Sequence, residues 1–369
     1  MNEAGAGGSS SGPPLAAYDG LVCDLDGVVY RGGRAVPGAP EALHRALTEG
    51  VRVVYATNNA SRPPAEVVAH LSGLGVPASI ASVVTSAQAG GLRVLEVVGA
   101  GERVVALGGA GVVAALSEHG LVPVRPSAAR AAAVLQGYGP DLTVSDFESA
   151  ARHLGRGVPW IATNADLTLP VEWGLAPGNG AYVELLGSVV GRKPDAVTGK
   201  PAAPLYDLAV ERLSVPRQRV LAIGDRLDTD IEGADAARVH SAWVLTGVHR
   251  PSALVAAGRA VPTYVIGSLG DLFEPYAAPS RSDRGWVCAE FVGRVVAAPQ
   301  GAHLTLTRVD AAGEAPQDVP PGEPLPIEAV RAGLAALLDA RASGRVDLAE
   351  LLRAAARLDE GQGADRPSR

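Results

Sequence analysis

Short apolar runs alternate with amphipathic stretches through most of the chain. That alternation predicts an α/β fold in which crossover helices join parallel strands. GLVCDL (20–25) reads as a buried strand, and PEALHRALTEG (40–50) as a helix closed by a C′ glycine. VRVVYAT (51–57) is the next strand, followed by the turn NNAS and a helix in PPAEVVAHLSGLG. SVVTS (82–86) and a helix through GLRVLEVVG continue the series. Between about residues 87 and 195 the texture changes: RVVAL, AAAVLQG and VPWIAT predict strands, separated by helices and by the Gly/Pro-rich stretch TLPVEWGLAPGNGA. The first style then resumes with helix APLYDLAVERL (203–213), strand RVLAIGD (219–225) and helix DIEGADAARV. Strand SAWVLTG (241–247), helix PSALVAAG and strand TYVIGS complete it.

The simplest organisation is one parallel-sheet domain, 15–86 with 196–277, interrupted by an inserted α/β domain at 87–195. Residues 1–14, MNEAGAGGSSSGPP, read as a flexible tail. PSRSD looks like a linker. Beyond it, WVCAEFVGRVVAA and HLTLTRVDAA predict antiparallel strands, and IEAVRAGLAALLDARASG and DLAELLRAAARLDE predict amphipathic helices. Residues 284–369 are therefore expected to form a small α+β unit ending in a disordered GQGADRPSR. No internal repeat is visible.

Composition narrows the function. The chain has 369 residues, 47% of them hydrophobic, enough for two or three domains with proper cores. The net charge is −7 with no polybasic block, which gives no reason to expect nucleic acid or an anionic membrane as partner. No apolar segment approaches a membrane span, and the N-terminus lacks the basic start and apolar centre of a signal peptide. Cys23 and Cys288 imply no disulfide framework, so a reducing cytoplasm fits and both read as packing thiols. Among 32 basic residues only Lys193 and Lys200 are lysines, so a retained lysine can signal the need for a compact ammonium.

In parallel α/β sheets, ligands bind beyond the carboxyl ends of the strands. Four segments fall at or beside such ends: DLDG (24–27), TNN (57–59), TGKP (198–201) and GDRLDTD (224–230). Each alone has a bland explanation. Asp-x-Asp-Gly is commonly a turn, TNN an Asx turn, TGKP a loop lysine, and GDRLDTD an N-cap before a solvated acidic turn. Together they suggest chemistry. Asp24 and Asp26, at i and i+2, leave a strand on the same side. Asp225 ends another strand and Asp230 opens the next helix. Carboxylates converging at one sheet edge need a cation, and an oxygen-only set suits Mg²⁺. Mg²⁺ favours phosphate oxygens and so points to phosphoryl transfer. Lys200 would add positive charge, and Thr57 with the first N–H groups of the following helix would add neutral donors.

With these four segments in this order, the sequence resembles the haloacid dehalogenase superfamily phosphatases. DLDGVVYRGG is similar to the family's first motif, TNN to its second, GKP to its third and GDRLDTDI to its fourth. The closer resemblance is to the large-capped subclass that includes NagD-like, phosphoglycolate, pyridoxal-phosphate and 4-nitrophenyl phosphatases. ATNADLTLP and APGNGA are similar to that subclass's cap, and the likeness covers roughly residues 20–275. It implies a Rossmann-like parallel-sheet core with an inserted α/β cap, to which the residue pattern adds the small C-terminal α+β unit. It further implies Asp24 as nucleophile, Asp26 as acid/base, and Mg²⁺ held by Asp24, the Asp26 carbonyl and Asp225. Thr57, Asn58, Asn59 and Lys200 would meet the phosphate or the substrate beside it, Gly27 would let the backbone turn beneath it, and Asp230 would orient Lys200 or metal-bound water. Asp228 has a minor place at most, and Lys193 matches no family position.

Two patterns compete. Gly109, Gly111 and Ala114 match a dinucleotide G-x-G-x-x-A after the strand RVVAL, which keeps a dehydrogenase in view. The next strand, however, ends in Gln136 and Gly137 without the acidic residue that would hold ribose. TGKP lacks the upstream glycine and following Ser/Thr of a P-loop, and Pro201 suits the start of a helix through Leu205 and Leu208. The histidines, His240 and His249 included, show no metal spacing. A large cap excludes bulky partners, so the expected substrate is a small phosphorylated metabolite. The C-terminal unit resembles the layout of actinobacterial glycerol-3-phosphate phosphatases, which ranks glycerol 3-phosphate first and 2-phosphoglycolate or pyridoxal phosphate next. Residues 284–369 could instead be a binding or oligomerisation module, and a homodimer stays open.

Overall fold

The computed structural model describes residues 12–171, 173–257, 261–309 and 316–361. The tail expectation for 1–11 and the disorder expectation for 362–369 lie outside them. Within the expected tail, Pro14 is already buried and opens a short 3₁₀ turn to Ala17.

The chain begins with β1 (Gly20–Cys23), a small hairpin of β2 (Tyr30–Arg31) and β3 (Arg34–Ala35), α1 (Ala39–Thr48) and β4 (Arg52–Thr57). α2 (Pro64–Gly73), β5 (Val83–Thr85) and α3 (Ser86–Val98) follow. The middle of the chain supplies β6 (Arg103–Leu107), α4 (Ala110–Glu118), β7 (Val122–Val124), β8 (Ala133–Gln136), α5 (Val144–Leu154) and β9 (Trp160–Ala162). Next come β10 (Thr168–Val171), β11 (Gly174–Pro177), α6 (Asn179–Val190) and β12 (Ala196–Val197). α7 (Pro204–Leu213), β13 (Val220–Gly224), α8 (Glu232–Ala236), β14 (His240–Val244), α9 (Pro251–Ala257) and β15 (Tyr264–Ile266) follow. The C-terminal segment holds β16 (Ser280–Ser282), β17 (Gly285–Cys288), β18 (Phe291–Val296), β19 (His303–Arg308), β20 (Gln317–Asp318), α10 (Ile327–Ser343) and α11 (Leu348–Glu360).

The first sheet is parallel, in the order β15-β14-β13-β1-β4-β5. Its central strand β1 is buried along its whole length because helices cover both faces, which accounts for a continuous apolar run. Leu21, Cys23, Val53, Tyr55, Leu221 and Ile223 pack on one face with Leu43 of α1 and Leu71 of α2. Val22, Val54 and Ala222 pack on the other with Leu205, Leu208 and Ala209 of α7. Side chains two apart share a face, so the residue after Cys23 leaves β1 on the α7 side. The chain runs from β1 to β4 on one side and later returns to β13 on the other. β1 therefore sits where the winding reverses, the place at which such sheets leave a crevice.

The second sheet, β12-β9-β8-β6-β7, is also parallel and arises between the first sheet's strands β5 and β13. β12 pairs with β9, so this sheet extends two residues past the boundary expected at 195. The Gly/Pro-rich TLPVEWGLAPGNGA, to which the sequence assigned no element, is regular in part. It contains the antiparallel hairpin β10–β11 and the start of α6.

The third sheet, β16-β17-β18-β19-β20, is antiparallel. PSRSD, expected as a linker, supplies its edge strand β16. WVCAEFVGRVVAA is two strands, broken where Ala289 turns with φ 49°. α10 lies close on β18 because Gly293 has no Cβ, which would stand 2.5 Å from the Ala332 carbonyl oxygen. Leu304, Leu306, Val330, Leu334, Leu337 and Leu351 of this unit share one core with Leu227, Ile231, Trp243, Leu245 and Leu254 of the first.

Two helix starts also differ from expectation. α7 begins at Pro204, not Pro201, and Pro201 follows a cis peptide bond in the preceding turn. Asp230 does not open the helix predicted from 230. It sits inside a π-type turn, Leu227–Ile231, and α8 starts only at Glu232.

Candidate active site

Four chain segments converge beyond the carboxyl end of β1. Asp24 follows β1 directly, anchored by its N–H to the Ile223 carbonyl at 2.9 Å. Its carboxylate Oδ1 accepts from the Lys200 ammonium at 2.6 Å, and Asp230 Oδ1 accepts from the same nitrogen at 2.8 Å. Lys200 and Asp230 are buried, while the Asp24 side chain keeps 14% of its exposure. Asp225, 1% exposed, directly follows β13, and its Oδ2 accepts from the Val248 N–H at 2.5 Å. Leu25 then turns inward and Asp26 is exposed.

Glycines make this convergence possible. Gly27 has φ +82° and lies against Asp225, where a Cβ would stand 2.5 Å from Oδ2. A Cβ on Gly247 would overlap the same carboxylate, and one on Gly224 would overlap Asp230. The Thr246 hydroxyl donates to the Gly27 carbonyl at 2.7 Å, and Trp243 Nε1 donates to the Asp225 carbonyl at 2.9 Å. Tyr206 donates to the Asp230 carbonyl at 3.0 Å. The expectations did not include Thr246, Gly247 or Tyr206. The Thr-Gly that ends SAWVLTG is the one signal that could have found the first two.

Burial dominates the electrostatics. Desolvation pushes Asp24 well above the usual carboxylate range, the Lys200 ammonium pulls it down, and Asp230, Asp225 and Asp26 push it up again. Asp225 is pushed up to about 7, first by burial and then by Asp230. Asp26 is also raised, mainly by desolvation from the surrounding protein, although its side chain reaches solvent. Lys200 is driven up: the charges of Asp230 and Asp24 outweigh its burial. Burial pushes the Cys23 thiol up to about 12, in keeping with a packing role.

Asp24, Asp225 and Asp230 each bring a carboxylate oxygen within 4.8 Å of the others. One ammonium cannot balance three such groups, so the donor set fits a hard divalent cation such as Mg²⁺. Asp24 and Asp225 are suited to hold it. The Asp230 oxygens are engaged by Lys200 and by the Arg226 N–H at 3.1 Å, which suits the supporting part expected of it. Asp228 pairs with Arg226 at the surface, and Lys193 is exposed.

The second segment departs from expectation. Thr57 is buried at the end of β4, where its Oγ1 accepts from the Asn59 N–H at 3.1 Å. Asn59 Oδ1 accepts from the Ser61 N–H and hydroxyl, at 2.9 and 2.7 Å. Pro63 and Pro64 then begin α2 without N–H groups. The N-cap and first helical position therefore supply no N–H donor. Both N–H bonds of the Asn58 amide are also engaged, one by Asp166 Oδ2 at 3.0 Å and one by the Lys200 carbonyl at 3.1 Å. The Asn58 side chain thus braces the lysine loop. Lys200 and Asp24 meet as an ion pair at the end of β1, with Lys200 buried and Asp24 partly exposed.

The G-x-G-x-x-A pattern opens α4, with Gly109 as its N-cap. No dinucleotide fits against it: a Cβ on Gly109 would meet the Ser61 carbonyl oxygen at 2.7 Å, and one on Gly111 the Ala60 oxygen at 2.4 Å. The space belongs to the loop after β4.

The haloacid dehalogenase-like hydrolase profile matches residues 21–122, and a second HAD-hydrolase-like profile matches 197–272. D-glycerol 3-phosphate phosphatase of Mycobacterium tuberculosis is 41% identical over 258 residues, 70% of this chain and 71% of that protein. The chain belongs to the haloacid dehalogenase-like hydrolases. Among solved members, glycerol phosphate phosphatase from M. tuberculosis in complex with magnesium superposes with a TM-score of 0.77 at 32% identity, over 95% of this chain and 99% of that one. p-Nitrophenyl phosphatase from Archaeoglobus fulgidus superposes with a TM-score of 0.65 at 26% identity, over 69% and 98%. As a member of this family of phosphoric monoester hydrolases, the chain draws Asp24 of its acidic cluster from the first profile-matched segment and Asp225 and Asp230 from the second.

Proposed function

We propose that this hydrolase cleaves small phosphomonoesters, glycerol 3-phosphate first among them, through an aspartyl-phosphate on Asp24. The observation that carries the chemistry is the Asp24 carboxylate at the mouth of the central strand, 2.6 Å from a buried ammonium. The substrate ranking rests on likeness. The magnesium-bound M. tuberculosis enzyme matches 95% of this chain, more than residues 1–277 could supply, which supports a C-terminal unit in common.

An Asp24 oxygen attacks phosphorus in line while the ester oxygen leaves with its electron pair. Asp26, whose raised pKa keeps a proton available, protonates that leaving oxygen. A water then attacks the aspartyl-phosphate, Asp26 takes its proton, and Asp24 is released with inorganic phosphate. Lys200 holds Asp24 in place and balances charge on the phosphoryl oxygens. Bound Mg²⁺ would offset the carboxylates and the phosphate charge so that anion can approach anion.

The division of labour follows the three sheets: catalysis from 15–86 and 196–277, a cap from 87–195 over the leaving group, and a supporting unit from 284. A cytoplasmic location and a homodimer belong to the same reading. The free, buried Cys23 and Cys288 support the first, and the exposed Trp173 and Leu175 of the β10–β11 hairpin the second. No helix among the described residues is long and apolar enough to cross a membrane.

The test is phosphate release from glycerol 3-phosphate, 2-phosphoglycolate, pyridoxal phosphate and p-nitrophenyl phosphate, with and without Mg²⁺. Turnover should require Mg²⁺, favour glycerol 3-phosphate and vanish in a folded Asp24→Asn variant. An Asn variant with wild-type turnover would remove Asp24 as the nucleophile.

A further inference from the structure

The second sheet grips Asn58 from two directions. In the loop between β9 and β10, Asn164 Nδ2 donates to the Asn58 carbonyl at 2.8 Å, and Asp166 Oδ2 accepts from Asn58 Nδ2 at 3.0 Å. That loop is fixed in turn. Asn179, the first residue of α6, donates from Nδ2 to the Asn164 carbonyl at 2.7 Å, and the Gly180 N–H donates to the Asp166 carbonyl at 2.8 Å. A Cβ on Gly178 or Gly180 would collide with the backbone of residues 165–168, so α6 lies directly against the loop.

On its other side Asn58 is bonded to the main chain of Lys200 twice. Its Oδ1 accepts from the Lys200 N–H at 2.7 Å, and its Nδ2 donates to the Lys200 carbonyl at 3.1 Å. A primary amide is planar, so its oxygen and both N–H bonds turn together. Asp166 occupies one N–H and thereby sets the roll of that plane. The plane sets the Lys200 backbone, and the Lys200 side chain ends 2.6 Å from Asp24 and 2.8 Å from Asp230.

We propose that Asp166 is a positioning residue that couples the seating of the cap to the placement of the Lys200 ammonium, through the Asn58 amide. The inference rests on the phosphatase reading and deepens it. The Asp166 side chain hydrogen-bonds to Asn58 and not to Asp24, Asp225 or Asp230. Its effect is to hold the lysine where it can act only while the cap loop is seated. A substrate that fits beneath the cap is then processed by an aligned site, and an open cap leaves the lysine loop free to drift.

The experiment is steady-state kinetics with Mg²⁺ on glycerol 3-phosphate and p-nitrophenyl phosphate. In Asp166→Ala, kcat should fall by about tenfold or more on both substrates, as expected for a misplaced catalytic group. KM should stay within about twofold, because no contact with substrate is removed. Asp166→Asn keeps an acceptor oxygen toward Asn58 and should hold kcat within about threefold of wild type. In an Asn58→Ser background the relay is already broken, so adding Asp166→Ala should cause little further loss.

Four results would overturn the coupling: wild-type kcat in Asp166→Ala, a loss carried by KM, a loss in Asp166→Asn as deep as in the alanine variant, or multiplying losses in the double variant. If the alanine variant does not fold, Asp166→Glu replaces it. Its extra methylene displaces the amide, and an unchanged kcat there also overturns the proposal. Wild-type protein that releases no phosphate from either ester defeats the phosphatase reading itself, before any variant is compared.

Discussion

At the scale of single residues, the central fact is an excess of negative charge with little water to screen it. Carboxylate oxygens of Asp24, Asp225 and Asp230 lie within 4.8 Å of one another. At that separation two unit charges repel by about 3 kcal/mol at an effective dielectric of about 20. Lys200 offsets part of this, and protons or a cation must supply the rest. Asp225 illustrates the consequence. Its folded pKa is pushed up to about 7, whereas an unfolded aspartate titrates near 4. Between those values the folded state binds more protons than the unfolded one, so stability falls as pH rises through the window. Asp24 and Asp26 are raised too, and act in the same direction. Mg²⁺ binds the ionised form and stabilises by mass action, so its benefit must grow over the same window. The melting temperature of metal-stripped protein, scanned from about pH 5 to about pH 7.5, should therefore show a Mg²⁺-induced rise that increases with pH. Asp225→Asn should lose most of that rise. Comparing with and without Mg²⁺ at each pH cancels groups far from the site, so an equal rise at both ends would contradict this account.

At the scale of elements, close packing of backbone on backbone determines how the inserted sheet sits. The N-terminus of α4 rests on the loop after β4, with the Gly111 N–H donating to the Ser61 carbonyl at 3.0 Å. A methyl group at Gly111 would stand 2.4 Å from the Ala60 oxygen and 2.6 Å from that of Arg62, and backbone cannot step aside as a flexible side chain can. Gly111→Ala should destabilise by about 1–3 kcal/mol, the usual range for overpacking. It should also raise hydrogen exchange in residues 58–62 and at the start of α4. Unchanged exchange there would mean that the two segments are not braced against each other. The same contact explains what could and could not be read from sequence. The run RVVALGGAGVVAAL was legible as strand, turn and helix from its apolar pattern. The use of its glycines was not, because the partner backbone lies about fifty residues earlier. Asp24, Lys200 and Asp225 were legible because their residue types stand out at strand or loop ends. For Asn58, type and place suit a phosphate contact, and only its hydrogen bonds to Asp166 and Lys200 show the side-chain donors engaged. The turn carrying Asp230 was misread as a regular helix start, since the acidic residues of GDRLDTD suit an N-cap. In the fold, the Asp230 carboxylate accepts the Arg226 N–H inside a wider π-type turn.

At the scale of the whole molecule, the C-terminal unit is joined to the catalytic sheet by a continuous core. Leu227 and Ile231 flank the turn that carries Asp230, and both are buried in the cluster that holds Leu304, Leu334, Leu337 and Leu351. Trp243, which donates to the Asp225 carbonyl, lies in the same cluster. Polar contacts reinforce the joint. Ser252 of α9 donates to Asp359 of α11 from its N–H at 3.0 Å and its hydroxyl at 2.6 Å, and buried Arg331 donates to the Val265 carbonyl at 2.8 Å. His249, just before α9, accepts from the Leu227 N–H at 2.9 Å. Removing residues 278–369 would therefore bare an apolar face directly behind the acidic cluster. Fully exposing a buried Leu, Ile or Trp costs about 1.5–3 kcal/mol each, and several are involved, against a total stability of about 5–15 kcal/mol for a typical domain. A chain ending at residue 277 should aggregate or melt far below the full-length protein, bind a hydrophobic dye, and hold Mg²⁺ more weakly because the Leu227–Ile231 turn has lost its backing. Light scattering, thermal melting and Mg²⁺ titration read these outcomes separately. A truncated protein that stayed soluble, with unchanged melting, metal affinity and kinetics, would show that the third sheet is an appendage with no part in shaping the site.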